Sequence, residues 1–162
     1  MGFALSEIEL TSPAFPVGGA IPVRHTGYGE DVSPELRWSR VPDGVSSFAL
    51  VCHDPDAPFV APNGTYGLAH WVLYNIPADA AGVPEGVSGR YTTGPNQFGA
   101  QIYHGPKPPP GHGPHHYVFT LLALDQDPSL EDGLSLWELL ARVEPHVVGM
   151  NRLVGTHERA KE

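Results

Sequence analysis

Three separated groups of polar residues supply the side chains from which a site could be built. The first is Asp54-Pro55-Asp56, two carboxylates flanking a rigid proline directly after the apolar run 48–52. A carboxylate that leaves a buried strand loses water and needs hydrogen-bond donors or a cation in return. The second is His70, which opens His70-Trp71-Val72-Leu73. The third is His112-Gly113-Pro114-His115-His116-Tyr117, delivered by a stiff loop that begins at Gly105 and contains Pro106, Pro108, Pro109, Pro110 and Gly111. Proline fixes φ and glycine permits positive φ, so this loop is pre-shaped rather than helical. In the extended segment that follows, residues two apart face the same way. His115 and Tyr117 therefore share one face, His116 points to the other, and His112 lies exposed on the loop.

The chemistry these residues offer is hydrogen-bond donation to an anion. Imidazoles, a phenol and the backbone N–H groups of a glycine loop all donate, and a nearby aspartate orients an imidazole and favours its charged form. Pro108, Pro109, Leu68 and Trp71 would supply apolar walls. The expected ligand is small and anionic: phosphate, a phosphate ester or a carboxylate. Asp56 alternatively suits capping local backbone N–H groups in a turn. No strong metal spacing occurs among the nine histidines, and neither a metal nor another cofactor is expected. Nucleophile-elbow, phosphate-loop and dinucleotide fingerprints are all missing. The same acid, imidazoles and phenol contain a general base, a general acid and oxyanion donors, so proton-transfer chemistry on a small metabolite is the alternative to simple binding.

The elements that must position these groups read as β structure followed by one helix. Gly 19 and Pro 18 in 162 residues argue for many turns, and no linker or repeat divides the chain, so a single domain over 1–162 is expected. Strands are predicted at 47–53, 70–76 and 116–124, the first uniformly apolar and hence buried on both faces. Weaker strand signals lie at 8–16, 21–26, 36–38 and 153–157, and 79–98 reads as loop with one short strand. A helix should start near Ser135, where Glu138 completes a capping box, with Leu136, Leu139, Leu140, Val143 and Val147 at helical spacing until Pro145 interferes. The lone cysteine, Cys52, excludes an internal disulfide and reads as a buried small hydrophobe. The net charge of −9 disfavours nucleic acid and anionic membranes. No apolar run reaches the roughly 20 residues needed to span a bilayer, and Ser6, Glu7 and Glu9 interrupt any secretory leader, so a soluble cytoplasmic protein is expected.

Taken in order, Asp54-Pro55-Asp56-Ala57-Pro58, the run from His70 to Pro77 and the loop from Gly105 to Phe119 resemble the phosphatidylethanolamine-binding protein family, which includes Raf kinase inhibitor protein. Ser33-Pro34-Glu35-Leu36-Arg37-Trp38 and Leu153-Val154-Gly155-Thr156 are similar to its bacterial and archaeal branch. The resemblance implies a mainly β (α+β) fold, a large antiparallel sheet packed on a smaller sheet with a few peripheral helices. It implies a pocket for phosphate-like anions built from Asp54, Asp56, Pro58, His70, Pro109, Gly111, His115 and Tyr117, with the loop glycine at either Gly105 or Gly111. It also implies a possible protein partner, inhibited as family members inhibit kinases or proteases, and a homodimer. Ala69 and Leu68 depart from the histidine and tryptophan of animal relatives, and no segment matches the C-terminal cover of the animal pocket.

Overall fold

The computed structural model describes residues 6–61, 65–87 and 89–161. Along the chain come β1 (Glu9–Thr11), a 3-10 turn (Val23–His25), β2 (Leu36–Ser39), β3 (Ser47–Asp54), β4 (Val60–Ala61), β5 (Thr65–Tyr66), β6 (Leu68–Pro77), β7 (Gly82–Val83), β8 (Thr92–Thr93), β9 (His115–Leu124), α1 (Leu136–Val143), a second 3-10 turn (Glu144–His146) and β10 (Val147–His157). A five-stranded antiparallel sheet has the order β10-β9-β3-β6-β8, a three-stranded one β1-β2-β7, and β4 pairs with β5.

The uniform hydrophobicity of β3 follows from its central place. One face of the large sheet presents Phe48, Leu50, Cys52, Tyr117, Phe119 and Leu121 to Ile8, Leu10, Leu36 and Trp38 on and beside the small sheet. The opposite face presents Ala49, Val51, Val72, Tyr74 and Leu122 to Leu134, Leu136, Leu139 and Val143 of the helical segment. Both faces are thus removed from water, which is the main favourable contribution to folding. The Ser135 side chain accepts from the Glu138 N–H, and Glu138 reaches back to the Ser135 N–H, so the expected capping box starts α1.

Three stretches depart from expectation. Residues 21–26 form no strand: Pro22 has no N–H to give a ladder, and its carbonyl instead accepts from His25 N at 2.9 Å while Val23 O accepts from Thr26 N at 3.0 Å, closing a 3-10 turn. Val147 does not continue the helix. Pro145 ends helical bonding after Val143, and Val147 opens β10, an 11-residue strand rather than the short closing one expected at 153–157. Among the described residues of 79–98 there are two two-residue strands, β7 and β8, where one was expected.

Candidate functional site

The ends of β3, β6 and β9 meet at one edge of the large sheet. Cys52 faces Phe119 and His53 faces Val118 in register, which carries Asp54 to the level of Tyr117 and sets it on the same face as His115. The buried Asp54 carboxylate uses both oxygens. Oδ2 lies 2.7 Å from His115 Nδ1, and Oδ1 accepts from the backbone N–H groups of Asp56 at 2.8 Å and Ala57 at 3.2 Å. The Asp54-Pro55-Asp56 turn therefore satisfies the acid locally and leaves one oxygen to orient the histidine.

His70 arrives by a different device. Pairing between β3 and β6 passes from Cys52–Trp71 to His53–Ala69, so His70 is the extra residue of a β-bulge. Bulges re-aim side chains at strand ends. Here the bulge brings the His70 ring edge-on to Tyr117, with centroids 5.2 Å apart, and Tyr117 in turn stacks on His115 at 6.5 Å. His70 Nδ1 lies 2.5 Å from the carbonyl oxygen of His104. A carbonyl only accepts, so Nδ1 carries the proton and Nε2 is a bare lone pair. That Nε2 is buried and has no partner among the described residues. Burial is the main reason the His70 pKa falls to about 4, so the ring is neutral near pH 7. Burial, then the charge of Asp54, pushes the Tyr117 phenol well above its ordinary range, so it remains a hydroxyl donor. The same two causes, in the same order, raise the Cys52 thiol and leave it an unreactive core residue.

Asp54, His70, His115 and Tyr117 are thus brought together. Asp56 is not: burial pushes its carboxyl up, but the N–H and ring of His116, both at 2.7 Å, outweigh that and hold it below the usual carboxylate range. That pair lies on the exposed side of β9, opposite His115. Pro58, Pro109 and Gly111 are exposed in the loops that follow β3 and precede β9. Gly105 is buried, and a Cβ there would overlap the His25 carbonyl oxygen. Trp71, expected as a wall of this cluster, instead packs edge-on to Tyr103 and lines a separate cleft of about 850 Å³ with Asn75, Tyr91, Gln101 and Asp132. Among the described residues no group of three or more His, Cys, Asp or Glu side chains is placed to hold a metal ion, and no helix is long and apolar enough to cross a membrane.

Two participants escaped the sequence reading. The His104 carbonyl, which fixes the His70 tautomer, is a backbone group in a loop without pattern. His112, expected to be merely exposed, places Nδ1 2.7 Å from His115 Nε2 and extends the chain Asp54–His115–His112.

Comparison with known proteins identifies the family of the fold. The model of the phosphatidylethanolamine-binding protein family matches residues 11–158. The chain belongs to that family. Over 158 residues it is 41% identical to the UPF0098 protein of Methanothermobacter thermautotrophicus, covering 94% of this chain and 99% of the relative. Among solved structures it is similar to a phosphatidylethanolamine-binding protein homologue from Chlamydia trachomatis (TM-score 0.86, 33% identity, covering 94% of this chain and 97% of that one). Escherichia coli YbcL, a member of the same family, superposes with TM-score 0.84 at 30% identity, covering 94% of this chain and 99% of that one. The expected family fold, a large antiparallel sheet against a smaller one, is the fold of this chain.

Proposed function

We propose that the Asp54–His115–Tyr117–His70 cluster binds a small oxyanion, phosphate or a phosphate-ester headgroup. The observation that carries this reading is the 2.7 Å bond between the buried Asp54 carboxylate and His115 Nδ1. The carboxylate only accepts, so Nδ1 is protonated and committed to Asp54, and Nε2, which His112 meets within the chain, is the nitrogen a ligand would bond. In a neutral ring that Nε2 is an acceptor, which repels an anion. One added proton turns it into a donor, and Asp54 balances the resulting charge. The Tyr117 hydroxyl supplies a second donor.

Anion binding in this reading takes up a proton. Affinity for inorganic phosphate, measured by calorimetry, should strengthen as pH falls from about 8 to about 5. Sulfate, whose charge does not change over that range, should follow the same trend by up to about tenfold per pH unit. Flat affinities for both anions would refute the reading. The Asp54–His115–His112 chain favours one second reading, a proton-transfer enzyme. Turnover of a small metabolite, abolished by both Asp54→Asn and His115→Ala, would establish it.

A further inference from the structure

The structure assigns to His112 the role of a gate: its imidazole fills the ligand's place on His115, and a bound oxyanion displaces it. This rests on the oxyanion reading above. His115 has two ring nitrogens, and both are occupied within the chain, Nδ1 by Asp54 and Nε2 by His112 Nδ1 at 2.7 Å. A ligand that bonds His115 must therefore take the second position from His112.

The members of this chain differ in how firmly they are held. Asp54 and His115 are 2% and 4% exposed, and Asp54 is anchored by two backbone N–H groups. His112 is exposed and lies between Gly111 (φ 73°) and Gly113 (φ 85°). A glycine on each side lets the backbone turn with little steric resistance. No heavy atom lies within 4 Å of a Cβ built on Gly113, so that hinge has room to move. The backbone N–H of His112 makes only a 3.2 Å bond, to Pro109 O. The two rings meet at 52° with centroids 5.0 Å apart, a twist about the N···N line that leaves a single neutral bond as the link between them. A neutral bond of this kind is weaker than a charge-assisted bond to an oxyanion, so exchange favours the ligand.

Removing the gate should release its competition. By calorimetry with inorganic phosphate, His112→Ala should bind about fivefold more tightly than the wild-type chain, the gain expected from deleting one modest competing hydrogen bond. In the wild-type chain, saturating phosphate should shift the His112 Nδ1 nitrogen resonance away from its hydrogen-bonded position. Equal or weaker binding by His112→Ala, or a His112 resonance unmoved at saturation, overturns the gate while the oxyanion site stands. Absence of phosphate binding in both proteins removes the oxyanion reading itself, and the gate with it.

Discussion

His70 is a neutral histidine in a place that resists protonation, and this makes stability depend on pH in a defined window. Its folded-state pKa is about 4, against about 6.5 in an unfolded chain. The folded pKa is depressed, so between these values the unfolded state binds the proton first, and stability falls as pH drops. From roughly pH 7.5 to pH 4.5 the linkage removes about 2 to 3 kcal/mol, a large share of a typical domain's stability. His70→Asn removes the titrating group while its amide can still donate to the His104 carbonyl. Urea unfolding followed by the fluorescence of the three tryptophans should show wild type losing about 2 to 3 kcal/mol more than His70→Asn over this range. The variant starts lower, because it loses the ring's packing on Tyr117, so the slope with pH is the quantity to compare. Parallel slopes for the two proteins would refute the argument.

His115→Ala should weaken phosphate binding far more than His116→Ala, because the two rings leave β9 on opposite faces and His116 is paired with exposed Asp56. Calorimetry decides it, and equal losses would contradict the facing. Gly105→Ala would press a methyl group against the His25 carbonyl and Asp31, costing about 2 kcal/mol, or roughly 4–8 °C of melting temperature. An unchanged melt would show that the loop gives way freely.

What the sequence made legible follows period and punctuation. The unbroken apolar run of β3 marks burial on two faces, and the helical core confirms why no polar alternation appears there. The two-residue period alone puts His115 and Tyr117 on one side of β9, and the Ser135–Glu138 spacing starts α1 where its capping bonds form. The rest depends on contacts that leave no local mark. The bulge that turns His70 toward Tyr117 is a matter of pairing with β3, not of the residues around it. The His104 carbonyl is visible to no side-chain pattern. The His112–His115 bond needs the loop to fold back on itself, and its spacing of three, read along an extended strand, points elsewhere. The two-residue strands β7 and β8 are held by partners far away in sequence, so their own composition reads as loop.

In the proposed function an oxyanion bonds His115 within the cluster at the ends of β3, β6 and β9. Phosphate titrated into isotope-labelled protein, with histidine ring nitrogens observed by NMR, tests this directly. The expected result is a saturable change at His115 Nε2 toward the protonated, hydrogen-bonded form, with Asp54→Asn abolishing it. Unchanged His115 nitrogens, with shifts gathered instead around Trp71 and Tyr91 in the separate cleft, would contradict it.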